Sequence, residues 1–233
     1  MKKPSRPKLC MFCAKDKSFG PMNREHFVFK ALWSGPRPKG TKTVWAHESC
    51  NAKFSEDNEY VRDVLAIDAG AAQHPEVQRL LEGELSRKLH KRPAEAAKVL
   101  KNLRLVPLFT PSGLYVGRTP VFDVDWTRME RVLQNVVKGI YYTAVKAPLP
   151  AECLIRVIDV TGKELPKDVA TLIEQMVGPQ SFGDDVFVCR YVTISTSPFQ
   201  RITCLMQFYR NRIFFGEAMT KELFEEIKSR EKQ

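Results

Sequence analysis

Two metal-ligand pairs, Cys10-x2-Cys13 and His47-x2-Cys50, separated by a 33-residue insert, constrain this chain more than any other feature. Two ligands with two residues between them can reach one ion from a single tight knuckle, and a second such pair closes a tetrahedron. The spacing therefore predicts a Cys3His site for a structural Zn²⁺ at Cys10, Cys13, His47 and Cys50. The competing reading is buried thiols or disulfides, but cysteine usage elsewhere does not look secretory. Cys153, Cys189 and Cys204 sit in apolar runs and read as small core hydrophobes. Inside the same window lie Glu25-His26 and Asn51, so an acid, an imidazole and a carboxamide are tied to the predicted metal knuckles.

The charge distribution narrows the partner. Residues 1–45 carry eleven Lys and Arg against Asp16 and Glu25, and residues 86–104 add seven more against Glu95. From residue 105 onward the balance is sixteen basic to fifteen acidic, so nearly all of the net charge of +10 belongs to the first 104 residues. A polyanion is the expected partner of that end. Lys30, Arg37, Lys53, Lys88, Lys91, Arg92, Lys98 and Lys101 are the candidate backbone contacts; a solvated basic surface is the bland alternative. No apolar stretch approaches the roughly 18–20 residues that span a bilayer. The start MKKPSRPK has no apolar segment behind it, so a cytoplasmic protein with no membrane partner is expected.

The pattern along the chain predicts an α+β protein: an N-terminal zinc module over 1–57, a basic helical segment over 58–104, and an α+β domain of unassigned role over 105–233. Pro4 and Pro7 suggest an extended arm. Phe27-Val28-Phe29 reads as a strand, residues 33–42 as a Pro/Gly-rich loop, and Thr43-Val44-Trp45 as a second strand. A helix follows from about Cys50 through Phe54 and restarts at Ser55. Val77, Leu80, Leu81, Leu85 and Leu89 recur at helical spacing behind Pro75. After a break at Arg92-Pro93, a second helix is expected to turn Ala97, Leu100 and Leu103 inward.

Farther on, Leu114–Val116 and Val121–Val124 read as two strands, and Met129 through Val145 as a strongly amphipathic helix. Leu154–Val160 reads as a strand and Val169–Met176 as a short helix. An antiparallel meander follows over 186–195, 202–209 and 213–215, turning at Ser197-Pro198 and at 210–212. A charged helix around Leu223, Phe224 and Ile227 ends the pattern. Gly139-Ile140-Tyr141-Tyr142 has the letters of a nuclease motif but lies inside a helical pattern, and no role is assigned to it. His74 and His90 have no partner signals.

Hydrolysing a phosphodiester near neutral pH requires a base for the attacking water and a cation for the charge on the departing oxygen. His26 supplies a base, and Glu25 and Asn51 supply hard oxygens suited to Mg²⁺ or Mn²⁺. Cys-x2-Cys, Glu25-His26 followed by Lys30-Ala31-Leu32, and Cys50-Asn51 followed by Phe54-Ser55 resemble the HNH endonucleases. The likeness is to their zinc-knuckle branch within the ββα-metal fold, over about residues 8–57. The resemblance implies a nuclease that nicks or cuts DNA, with His26 activating water. Glu25 and Asn51 would hold the catalytic metal, and Cys10, Cys13 and Cys50 would be zinc ligands.

Departures from the family pattern are His47 where a cysteine is usual, Phe29 in place of proline, and Trp33-Ser34 in place of paired glycines. No asparagine lies between residues 33 and 46 to match the middle motif position. The resemblance further implies a prokaryotic, phage or mobile-element setting, some such nucleases serving in phage defence. A homodimer and a protein activator are the expected protein partners. The alternative is a zinc-binding nucleic-acid-binding module that keeps the fold without turnover.

Overall fold

The computed structural model describes residues 8–91, 93–195 and 200–230. The architecture is mixed α+β with antiparallel sheets. Strand β1 (Met22–His26) pairs antiparallel with β2 (Thr43–His47), in a register running from Met22 opposite His47 to His26 opposite Thr43. Helix α1 (Glu48–Ala52) leaves the end of β2 directly, and α2 (Ser55–Ala66) restarts after Lys53-Phe54. The first strand differs from expectation: it ends at His26, and Phe27 and Val28 are bends rather than strand. Both are buried, and two consecutive inward side chains cannot belong to a strand with one solvent face. The pair serves as a plug, with Phe27 edge-on to Phe182 and Phe187 of the distant sheet.

The next segment winds as α3 (Pro75–Leu80), a π turn over Leu81–Leu85, and α4 (Ser86–Lys91), with α5 (Pro93–Val99) beyond. Val77, Leu80 and Leu85 are buried as the periodicity requires. At the end of α5 Val99 is buried, whereas Ala97 is exposed; Leu100 is half-buried and Leu103 exposed, because the helix stops at Val99 and both fall on the following turn. A two-stranded ribbon follows, β3 (Arg104–Phe109) with β4 (Tyr115–Val121). Sequence reading divides β4 into pieces at 114–116 and 121–124 and misses β3. Pro107 and Pro120 argue against strands, yet a ribbon with two free edges tolerates residues that cannot donate.

Helix α6 (Trp126–Val145) is the central beam. Asp125 caps it by accepting from the Arg128 amide, and Lys146 ends it in the left-handed region. Its buried stripe, Met129, Val132, Leu133, Val136, Val137 and Ile140, repeats at helical spacing, so Gly139-Ile140-Tyr141-Tyr142 is helix, as expected. After β5 (Leu154–Asp159) and α7 (Lys167–Glu174) come β6 (Val177–Phe182), β7 (Phe187–Ser195), β8 (Gln200–Phe208) and β9 (Arg212–Met219). They form one antiparallel sheet in the order β5-β9-β8-β7-β6, and α8 (Lys221–Arg230) follows it. Strand β6 escapes sequence reading because Gly178-Pro179 interrupts it and the ladder shifts register there. The Pro4/Pro7 arm and the Ser197-Pro198 turn lie outside the described residues.

One hydrophobic cluster runs from Met11 through α2 and α6 to Ala218, so the β1–β2–α1 unit packs on the rest of the protein. Cys10, Ala46 and Cys50 form a separate small cluster. Asp57 of α2 accepts from Arg128 and Arg131 of α6, locking those helices side by side. Among the described residues, no helix is long and apolar enough to cross a membrane.

Candidate functional site

The four predicted zinc ligands converge. One donor atom from each of Cys10, Cys13, His47 and Cys50 lies within 4.8 Å of the others. Two knuckles make this happen. At the first, the Ala14 amide donates back to the Cys10 carbonyl at 2.9 Å, with Ala14 in the left-handed region, so Cys10 and Cys13 point the same way. At the second, β2 delivers His47 as its last residue and α1 raises Cys50 within its first turn.

The surroundings of His47 fix which of its nitrogens faces the thiols. Its Nε2–H donates to the Asp16 carbonyl at 2.8 Å, leaving the Nδ1 lone pair 3.3 Å from Cys13 Sγ and 4.0 Å from Cys50 Sγ. An imidazole held through one nitrogen by a carbonyl is the usual outer support of a metal-binding histidine. Burial raises the Cys10 thiol, but amide donors from His47, Cys13 and Phe12 outweigh it and leave the thiol below its usual value. Burial and the neighbouring Cys10 and Cys13 push Cys50 up to about 11. Crowded thiols in conflict over ionisation are the arrangement that a divalent cation relieves. Soft sulfur with one imidazole suits Zn²⁺, so the cluster fits a structural metal ion of that kind.

Beside this cluster opens a cavity of about 800 Å³ whose walls include Glu25, His26, Lys30, Arg37 and Asn51. Strand β1 presents Glu25 and His26 at its end, and α1 presents Asn51 next to the ligand Cys50. The Nδ1 of His26 is buried without a hydrogen-bond partner among the described residues. Arg37 is drawn partly inward, where burial lowers its pKa and the carboxylate of Glu25 opposes that shift. Its Nε is likewise buried without a partner.

The loop between β1 and β2 is clamped from several sides. The Tyr209 hydroxyl donates to the Leu32 carbonyl at 2.8 Å, and a buried Glu76 carboxylate accepts from the Ser34 amide. Helix α6 approaches so closely at Gly139 that a Cβ there would stand 2.7 Å from the Phe27 carbonyl oxygen. Each clamp limits movement of the segment that follows His26.

The other candidate contacts scatter. Lys53 is exposed at the end of α1 and does not line the cavity. Lys88 is not on the open surface: its ammonium lies 2.7 Å from buried Asp63 and 3.7 Å from Glu59. Lys91 and Lys101 are exposed, Lys98 falls in α5, and Arg92 lies outside the described residues.

Sequence reading missed Asn58 and Arg62 of α2, which also line the cavity. Asn58 stands in the first turn of a helix that begins four residues after Asn51, a spacing with no motif to flag it. Arg62 is held by Asp63 and Glu84, both at 2.6 Å. No family model matches the chain, and no curated protein or solved structure matches it.

Proposed function

We propose that the protein is a metal-dependent HNH-type endonuclease that hydrolyses phosphodiester bonds of DNA, with β1, the following loop, β2 and α1 as its ββα-metal unit. One observation carries the reading: Glu25 and His26 at the end of β1 and Asn51 of α1 line one cavity, beside a Cys3His cluster that pins their supports. In this role His26 takes a proton from the attacking water. Arg37 and Lys30 hold the phosphate, Arg37 having an inward-turned guanidinium with an uncommitted nitrogen. Asn58 and Arg62 line the same wall and restrict how the backbone enters. Glu25 and Asn51 would hold Mg²⁺ or Mn²⁺, which when bound supplies charge neutralisation at the phosphate and the departing oxygen. The Cys3His metal is structural, since four protein ligands leave no open position.

A second reading, a nucleic-acid-binding module without turnover, is favoured by a specific observation. The chain between Phe27 and Cys50 contains no asparagine, and the His26 Nδ1 that such a residue could help to orient has no partner among the described residues. Purified zinc-loaded protein incubated with supercoiled plasmid and Mg²⁺ or Mn²⁺ separates the two. Nicked or linear product that disappears without the added cation and in His26→Ala supports the nuclease. Tight plasmid binding with no cleavage under every cation supports the module.

A further inference from the structure

A second cleft, of about 870 Å³, lies along β1 and β2 and shares no lining residue with the Glu25–His26–Asn51 cavity. Among the described residues four cations line it, Lys8, Arg24, Lys42 and Lys146, and no acidic residue does. Their head groups meet only neutral partners among the described residues. The Arg24 Nε–H donates to Thr43 Oγ1 at 2.9 Å, Lys42 to Gln180 Oε1 at 3.0 Å, and Lys146 to the Thr143 carbonyl at 2.6 Å. Lys8 Nζ stands 4.4 Å from the centre of the Trp45 ring, and the Arg24 guanidinium carbon 5.2 Å from it. Arg24 and Trp45 are direct cross-strand partners, so the sheet itself fixes that cation on that ring.

Elsewhere Arg62, Lys88, Arg128 and Arg212 each meet carboxylates, whereas the four cleft cations, all exposed, meet none among the described residues. Like charges gathered in one cleft without counter-charge repel one another, and a polyanion removes that cost while releasing its own counterions. A membrane surface would require an apolar face to insert; the large side chains the cleft offers are Trp45, covered by cations, and Tyr142, whose hydroxyl donates to the Leu9 carbonyl.

We infer that this cleft binds the sugar-phosphate backbone of the DNA on which the neighbouring cavity acts. The inference rests on the nucleic-acid reading above. Arg24 and Glu25 are consecutive residues of β1, so their side chains leave opposite faces of that strand. The cleft and the cavity therefore flank the same strand, and a DNA backbone held at Arg24 passes along its edge to reach the cavity. The cleft holds the flank, and the cavity holds the bond to be cut.

The test measures binding rather than cleavage. In a zinc-loaded His26→Ala parent, Arg24→Gln/Lys42→Gln and Lys8→Gln/Lys146→Gln are titrated with a labelled DNA duplex across a series of salt concentrations. The control is Lys163→Gln/Lys167→Gln, which alters two lysines outside the cleft. Each cleft pair is expected to weaken binding ~10-fold or more and to flatten the log–log salt slope by about one to two. Zinc content and melting temperature should stay at the parent's values, and the control should match the parent.

Unchanged affinity and slope in both cleft pairs, or an equal loss in the control, overturns the cleft. So does binding to phosphatidylserine vesicles without binding to DNA. Cleft-dependent DNA binding by a wild-type protein that cuts no plasmid keeps the cleft and removes the nuclease. Plasmid cleavage with binding indifferent to the cleft pairs does the reverse.

Discussion

His26 and Asn135 line one small cavity, about 30 Å³ in volume, and neither the Nδ1 of the one nor the Nδ2 of the other has a hydrogen-bond partner among the described residues. Asn51 and Asn58 line the same space. Asn135 belongs to the buried stripe of α6, where a carboxamide is costly unless it is bonded. A cavity of this size holds one water. A water accepting from His26 Nδ1–H and Asn135 Nδ2–H would donate onward to the carboxamide oxygens of Asn51 or Asn58. That arrangement leaves His26 Nε2 as the free base, so Asn135 is a positioning residue on the reading of His26 as base.

Replacing Asn135 by leucine removes that support while filling an apolar stripe. Stability is expected to hold or to rise slightly, since a buried amide without a protein partner is exchanged for a hydrocarbon. Plasmid cleavage should fall ~10-fold or more, and the ¹⁵N shifts of the His26 ring should report a changed tautomer. Unchanged ring shifts together with unchanged cleavage would remove Asn135 from the site.

The zinc cluster should behave as a staple. Its own apolar cluster is only Cys10, Ala46 and Cys50 with a few partly buried neighbours, so hydrocarbon burial contributes little to holding the two knuckles together. Structural zinc contributes on the order of 10 kcal/mol in small domains. Cys50→Ser is therefore expected to reduce bound zinc from about one ion per chain to a small fraction and to lower the melting temperature steeply. The β1–β2 amides should lose protection from hydrogen exchange before those of the C-terminal sheet. Full zinc occupancy in Cys50→Ser, by metal analysis after dialysis against a weak chelator, would count against the four-ligand site.

Gly139→Ala tests the contact between α6 and the segment after His26. The added methyl would stand 2.7 Å from the Phe27 carbonyl oxygen and 2.8 Å from Phe27 Cβ. Helix and bend must part, at a cost of about 1–3 kcal/mol. Because Phe27 follows His26 directly, cleavage should fall by more than the lost stability explains when compared at a temperature where both proteins are fully folded. A variant as stable as the wild type would show that the helix yields without strain.

Much of the N-terminal site is legible in the sequence because metal ligation and knuckle geometry are local: Cys-x2-Cys and His-x2-Cys each act within one turn. Helix α6 is equally legible, since its apolar residues repeat at helical spacing from Met129 to Ile140. What fails to read is set by distant contacts. Phe27-Val28 has strand composition but is claimed by Phe182 and Phe187, more than 150 residues away. Lys88 looks like a surface charge until Asp63 is folded beneath it. Asn135 and Asn58 reach His26 only through packing, and the Lys8–Lys146 cleft joins the two ends of a long chain segment that no periodicity links.

His74, to which the sequence assigns no role, predicts how stability changes with pH. It is buried, its Nδ1 accepts from the Glu76 amide at 3.1 Å to cap α3, and its Nε2–H donates to the Asp184 carbonyl at 3.0 Å. Burial lowers its pKa below the usual 6.5 and neighbouring Arg210 adds to the shift, while the Asp184 carbonyl, Glu76 and Asp185 oppose it. The unfolded chain therefore takes up this proton at a higher pH than the folded one. The stabilisation is complete above about pH 6.5 and is lost as pH falls from there toward the folded value, where the dependence levels off. His74→Asn keeps a side-chain oxygen for the α3 cap but removes the titration. Between pH 7.5 and 5, urea unfolding should show a shallower loss of stability in His74→Asn than in the wild type, with the other histidines common to both. Parallel curves would show that His74 does not contribute to the acid sensitivity.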